Sequence, residues 1–495
     1  MPTTAAKQVR GSLEPFIKDE VDYYAHQVEG IRLLSERRSW LLADDMGLGK
    51  TLQALTVFGI DVFQSEHAVL TDGTPDYKTR QKACRTAIIV CPTKLKDNWA
   101  DEFKKYTRIP FMILDGSPKK RKEQLIEFAS LPSPKALITN YEQIAPHLKE
   151  LNAMRFDVAI FDEAHYMKNG KAARTQAALG LYSRRSFLLT GTPMLNRVNE
   201  LWTLLHRIAP SEFPNYHRFV ARYCVLGGYK DKEIVGTKNE PELLDKLGAY
   251  MLRRLKSEVL DLPELQFLQR RVRLTPQQQK LYDEAENELQ LTTVHDPDPM
   301  EIQNGLTKAL RLKQICGTTL PFTGEDHSSK LDLALEDDQE LLENGHKIIQ
   351  FSQFRSVMEA YTNRAEALKI PVYQIHGDIK SSASEVAKVW GDDPRPGVLL
   401  CNTIMAVGFN ATQSRHVSFL DKLFVPGLNQ QAIDRAYRIG ASATQPVQVR
   451  EYICIGTYEN RIETILGTKS RNIAATITSD NNQWKKELYQ AMRRS

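Results

Sequence analysis

Cysteine is scarce in this chain, six among 495 residues, and no two stand in a C-x-x-C pair. That spacing excludes a recognisable zinc ribbon or dithiol redox motif, and reduced thiols are expected. Apolar runs of the roughly 20 residues needed to cross a bilayer are missing, and the polar opening MPTTAAKQVRGSLEPF lacks the hydrophobic centre of a secretory signal. No membrane partner is expected, and the place of action is expected to be the cytoplasm, the nucleoid or a nucleus. Charge of one sign is also in short supply, since 66 basic against 61 acidic side chains leave a net +5. Bulk charge therefore says little about a polyanionic partner. Internal repeats and low-complexity tracts are absent too. What remains is an ordinary globular composition, 42% hydrophobic and 26% charged, in a chain long enough for two or three domains.

Short apolar runs alternate with amphipathic helical stretches, the pattern of parallel sheets covered by helices. The first half offers SWLLA (39–43), TAIIVC (86–91), KALIT (135–139), VAIFD (158–162) and SFLLT (186–190). The second half offers KIIQFS (347–352), PVYQIH (371–376), GVLLC (397–401), HVSFL (416–420) and VQVREYI (447–453). The fold class read from this is α/β with two parallel sheets. Between them, residues 206–327 read as helical protrusions and a linker, and the polar stretch 65–82 reads as a long loop.

The strongest local signal is DDMGLGKT (44–51), placed between the strand SWLLA and a helix-patterned run. Gly47 and Gly49 let the backbone curl so that amides of Asp45, Met46, Gly47, Leu48 and Gly49 can face phosphate oxygens at a helix N-terminus. Lys50 is suited to the β- and γ-phosphates, and the Thr51 hydroxyl to magnesium. Asp44 stands where the general pattern has its first glycine. A second signal completes the first: VAIFDEAH (158–165) ends an apolar strand in two carboxylates. Asp162 is expected to hold the metal, and Glu163 to orient or deprotonate the attacking water. In QAIDRAYRIG (431–440), Arg435 and Arg438 are three apart and are expected to share a helix face. Both guanidinia suit the negative charge that spreads during phosphoryl transfer.

In this order, these residues resemble the Swi/Snf family of superfamily 2 DNA-dependent ATPases. YYAHQVEGIRLL (23–34), VCPTKLKDNWADEF (90–103), ITNYEQI (138–144), LLTGTPMLNRVNELWTLL (188–205), MLRRLKSEVLDLPEL (251–265), IIQFSQFRSVME (348–359) and IHGDI (375–379) extend the resemblance over nearly the whole chain. It implies two RecA-like lobes, with lobe one at 21–205, the protrusions and linker at 206–327, and lobe two at 328–470. A leader at 1–20 and a basic tail at 471–495 complete the expectation. It also implies ATP with Mg2+, and Gln27 reading the adenine. Thr93, Lys94, Thr139, Asn140 and Tyr141 in lobe one, with Ser352, Gln353 and Thr403 in lobe two, would contact a DNA backbone. His165 with Thr190, Gly191 and Thr192 would couple the two sites.

The activity this implies is ATP-driven tracking on duplex DNA, with remodelling of forks, junctions or bound proteins, by a chain expected to act as a monomer. Phosphate contacts carry no direct sequence information, which suits stepping along any duplex. Two alternatives stay open at this point: a strand-separating helicase on DNA or RNA, and a DNA-binding protein whose ATPase has decayed. In the tail, Arg471, Lys485, Lys486, Arg493 and Arg494 stand against Asp480 and Glu487, which fits a solvated helix and a DNA-contacting one equally.

Overall fold

In the computed structural model, the described residues are 17–18, 21–66, 85–191, 193, 198–227, 233–260, 263–287, 290–293, 296–301, 305–379, 381–406, 409–423, 426–437 and 445–460. The chain divides into two compact units after Leu260. Among described residues, the main sheet of the first holds seven strands, β1 (Trp40–Leu42), β2 (Thr86–Cys91), β3 (Phe111–Ile113), β4 (Lys135–Asn140), β5 (Val158–Phe161), β6 (Arg185–Leu189) and β7 (Met251–Leu252). Their spatial order is β3-β4-β2-β5-β6-β1-β7, and every pair is parallel. A parallel sheet covered on both faces needs strands that are apolar throughout, and Ile88, Ile89, Val90, Leu137, Ile138, Ala159, Ile160 and Leu188 are all fully buried.

The second unit repeats the plan with β8 (Leu265–Val272), β9 (Ile348–Ser352), β10 (Val372–Ile375), β11 (Val398–Asn402), β12 (His416–Phe419) and β13 (Val447–Cys454). The order is β8-β13-β12-β9-β11-β10, again parallel throughout. The expected α/β class with two parallel sheets is therefore what is seen.

Seven strands among the described residues were not legible, Phe111–Ile113 and six within 206–327, and these six change the reading of that stretch as helices and linker. Four of them form two antiparallel hairpins, Cys224–Gly227 with Glu233–Thr237 and Gln290–Thr293 with Asp296–Glu301, and two join the main sheets. Met251–Leu252 closes one edge of the first sheet beside β1, and Leu265–Val272 forms an edge of the second beside β13. The helices of that stretch are likewise shared out. Phe213, Phe219, Leu243 and Leu247 join the first unit's core, whereas Tyr282, Leu312 and Ile315 pack with Cys454 of the second. Helix Lys50–Glu66 runs into the stretch expected as a loop, whose remainder, like the leader before residue 17 and the basic tail, lies outside the described residues. The five described cysteines are buried.

Candidate nucleotide site and its surroundings

In a parallel sheet, all strands present their carboxyl ends to one edge, where ligands of open α/β sheets are held. β1 leads into the loop 44–49, β5 into Asp162 and Glu163, β6 into Thr190 and Gly191, β2 into Thr93 and Lys94, and β4 into Tyr141. Parallel pairing thus gathers the lobe-one motifs on a single edge.

Helix α1 (Ala25–Ser35) precedes β1, and α2 (Lys50–Glu66) follows the loop. Gly47 and Gly49 have φ of 83° and 74°, a region closed to most side chains. At Gly49 an added Cβ would lie 2.2 Å from the Gln27 amide nitrogen. The loop is braced from beneath. Asp44 is fully buried and bound by Arg254, whose Nε and main-chain N each donate to Oδ1 at 3.1 Å, while Nη2 pairs with Oδ2. Arg254 also donates to Gln53 Oε1 at 2.8 Å and to the His26 carbonyl. A carboxylate at this depth needs a cation, so the missing glycine at 44 has a physical reason. Next to it, Asp45 accepts from Lys256 N at 3.1 Å and faces Arg253. The Lys50 ammonium donates to the Asp44 and Asp45 carbonyls at 2.8 and 3.1 Å. Gln27 turns inward: its Nε2 donates to the Leu48 carbonyl at 3.2 Å and its Oε1 accepts from Tyr24 N.

At the end of β5, Glu163 takes φ 47°, ψ 51°, a left-handed conformation costing roughly 1–2 kcal/mol for a side chain that is not glycine. Such strain gathers at functional sites. Asp162 accepts from Trp99 Nε1 at 2.8 Å on Oδ2 and from Glu163 N at 2.9 Å on Oδ1. Burial, with the charge of Glu163 adding to it, pushes the Asp162 carboxyl above the ordinary range. His165 Nδ1 lies 3.2 Å from Glu163 Oε2 and 3.2 Å from Thr190 Oγ1, joining the ends of β5 and β6. Arg253 donates to the Gly191 carbonyl, and Thr192 lies outside the described residues. The glycine cradle at a helix start suits a polyphosphate. Thr51 and Asp162 are hard oxygen donors of the kind magnesium takes.

The residues expected on DNA divide by exposure. Thr93 and Lys94 are exposed, while Thr139, Asn140 and Tyr141 are buried. In the second unit, Ser352 is buried with its hydroxyl donating to Asp421, and Gln353 N donates to the same carboxylate at 3.0 Å. Thr403 is buried as well, with no partner for its hydroxyl. The expected helix face for the two arginines is corrected here, because helix Pro426–Ile433 ends before Arg435. Past Ile433 the turns mix tight bonds, Arg435 N to Ala432 O and Ala436 N to Ile433 O, with α spacing, as in Tyr437 N to Ile433 O. The Arg435 guanidinium donates to the Gln431 and Phe409 carbonyls, and Arg438 lies outside the described residues. Trp99 and Arg254 were missed as individual residues. The signal for Arg254 was the carboxylate at Asp44, which a buried loop cannot hold without a cation.

Comparison with known proteins bears on this arrangement. Residues 26–319 match the SNF2-related domain, and residues 333–440 match the helicase conserved C-terminal domain. The chain belongs to the SNF2-related family and is a helicase-like protein of that family. It is 29% identical over 469 residues to an uncharacterized ATP-dependent helicase of Mycoplasma pneumoniae, covering 93% of this chain and 42% of that protein. It is 28% identical to human DNA excision repair protein ERCC-6 (89% of this chain, 31% of that one) and 28% identical to mouse DNA annealing helicase and endonuclease ZRANB3 (95% and 41%). The chain spans less than half the length of these curated relatives. Among solved structures, the Sulfolobus solfataricus SWI2/SNF2 ATPase core in complex with dsDNA is similar at 24% identity and a TM-score of 0.42, covering 98% of this chain and 99% of that one. No described helix is long and apolar enough to cross a membrane.

Proposed function

We propose that this chain is a DNA-dependent ATPase that tracks along duplex DNA and moves junctions, forks or bound proteins. The observation that carries the reading is the shared edge of the first sheet. There a loop with two glycines at positive φ, opening a helix at Lys50, stands with the Asp162–Glu163 pair and the exposed Thr93 and Lys94.

On this reading, amides of residues 45–49 and Lys50 bind the phosphates of the substrate ATP, and Gln27 reads the adenine. Thr51 and Asp162 hold magnesium, which supplies charge neutralisation across the phosphates when bound. Glu163 takes the proton of the attacking water, and Arg435 and Arg438 supply positive charge to the departing phosphoryl group. His165, Thr190, Gly191 and Thr192 link this chemistry to the DNA contacts. The relatives named for excision repair and for annealing favour a repair or fork-remodelling role over plain strand separation.

Branch movement replaces each pair broken with a pair formed, whereas strand separation must overcome stacking of about 1.4 kcal/mol per step. The test compares ATP-driven displacement of a triplex-forming strand, conversion of a mobile four-way junction and opening of a tailed duplex. Triplex displacement and junction conversion with little opening of the tailed duplex are expected. Efficient opening of the tailed duplex alone would replace this reading with a conventional helicase.

A further inference from the structure

Two segments of the first unit that were expected to meet DNA converge on one residue beneath the surface. The first is the turn Thr93–Leu95, which leads directly into helix α3 (Lys96–Tyr106). From α3, Trp99, only 2% exposed, donates its indole N–H to Asp162 Oδ2 at 2.8 Å. The second is the end of β4, where the fully buried Tyr141 donates its hydroxyl to the Asp162 main-chain carbonyl at 2.8 Å. At the surface the segments are tied to each other, since Asn140 Nδ2 donates to Thr93 Oγ1 at 2.9 Å. Asp162 is therefore held through its side chain by one segment and through its backbone by the other.

Of the other described tryptophans, Trp390 donates its indole N–H to the Gly397 carbonyl at 3.0 Å. The indole nitrogens of Trp40 and Trp202 are buried without a partner, so pairing every such group is not enforced. An N–H aimed at a carboxylate oxygen also fixes the side-chain rotation of that carboxylate. A short rigid helix relays any displacement of its first turn to a side chain one turn further on.

We infer that Trp99 and Tyr141 are positioning residues that convey backbone contact at Thr93 and Lys94 to the Asp162 carboxylate, so that duplex DNA changes how tightly the divalent cation of the nucleotide is held. The inference rests on the proposed nucleotide and DNA reading of this edge. It assigns the two residues no contact with the reacting atoms. Because spatial intermediacy alone does not establish coupling, the test measures linkage directly.

ADP binding is titrated calorimetrically with and without Mg2+, and with and without a short blunt duplex, for the parent, Trp99→Phe, Tyr141→Phe and the double variant. Loss of a partner that orients a metal ligand commonly lowers metal affinity about 10–100-fold. The single variants are expected to weaken Mg2+-dependent ADP binding by about tenfold, to leave Mg2+-free ADP binding unchanged, and to lose the duplex-induced shift seen in the parent. Should Trp99→Phe fail to fold, the sulfur isostere benzothienylalanine at 99, which removes only the N–H, carries the same expectation. Variants that fold, bind Mg–ADP as the parent does and keep the duplex shift overturn the inference. So does a parent that binds Mg–ADP but shows no duplex shift, and in that case the nucleotide reading stands. A parent that does not bind Mg–ADP overturns the nucleotide reading, and the inference with it.

Discussion

The two units share an all-parallel scaffold and even a small capping device, yet they place their buried charge differently. In each, a lysine at the start of a strand closes the end of a helix. Lys135 donates to the carbonyls of Phe128, Ala129 and Leu131, and Lys347 to those of Trp390, Gly391 and Asp393. A cation at a helix C-terminus satisfies its free carbonyls and its dipole. Beyond that the units diverge. In the first, buried charge stands at the carboxyl edge of the sheet, as Asp44 with Arg254 and as Asp162 beside Glu163 and His165, and also at the start of β6, as Asp61 with Arg185. In the second, the same edge holds the neutral Ser352, Gln353, Asn402 and Thr403 around Asp421. Other buried ionisable groups of this unit sit on helix α4 (Ser329–Glu343), as Lys330, which donates to Glu459 at 2.6 Å and to the Leu420 carbonyl at 3.0 Å, and as Asp338. On the proposed reading, charge at the open edge of the first sheet serves chemistry and buried charge elsewhere serves cohesion.

The largest effect that would break this comparison is catalytic. Glu163→Gln is expected to lower ATP turnover about 100- to 10,000-fold while keeping ATP binding, because an amide of the same shape cannot take a proton. Asp421→Asn, at the equivalent edge of the second unit, is expected to leave the chemical step far less affected. Single-turnover hydrolysis compares them, and an equal loss in both would erase the distinction between the two edges.

The next effect concerns stability. Removing one partner of a buried ion pair strands the other and typically costs about 3–5 kcal/mol. Arg254→Ala and Lys330→Ala are both expected to destabilise their own units by amounts in that range, read by denaturant unfolding. Only Arg254→Ala should also weaken ADP binding, since Asp44 lies within the phosphate loop. Equal nucleotide affinity in the two variants would show that the Arg254 brace does not shape the loop.

The smallest effect is pH dependence in the second unit. Asp338 accepts from Gln350 Nε2 and from the Tyr361 hydroxyl, each at 2.6 Å, and burial raises its carboxyl to about 7 against the opposing pull of these two hydrogen bonds and of Arg450. Its Oδ1 and the Gln350 Oε1 are both buried without a donor, an arrangement that a proton on the carboxyl would satisfy. A folded-state value above the unfolded one means that the native state binds the extra proton. This group's contribution to stability is thus present at acid pH and falls as pH rises from about 4 to about 7, by about 1.4 kcal/mol per unit within that window. Asp338→Asn offers the same two-bond pairing without titrating, so the difference between variant and parent should grow across that window and level off above it. A difference that is flat with pH would mean that Asp338 is ionised in the fold.

Legibility followed the same physics. Ten strands could be read because a doubly covered parallel strand is apolar along its length, as TAIIVC and GVLLC are. The strand LQFLQRRV (265–272) carries arginine and glutamine because it is a largely exposed edge, so no apolar run announced it. Met251–Leu252 is too short to show any period. The phosphate loop and the Asp162–Glu163 pair were plain from local pattern, whereas Arg254 reaches Asp44 from 210 residues away, a distance no spacing rule covers. The arginines near 435 were misread for the opposite reason. A helical spacing was assumed past Ile433, where the helix ends and the following turns mix tight and α-type bonds.

The central claim is that the charged edge of the first sheet hydrolyses ATP in response to duplex DNA. Steady-state phosphate release from ATP and Mg2+, measured at fixed salt with and without a blunt duplex, tests it most directly, with Lys50→Ala as the zero. The account predicts turnover that the duplex stimulates in the parent and that is lost in Lys50→Ala with duplex binding kept. Hydrolysis that ignores the duplex, or that survives in Lys50→Ala, would contradict it.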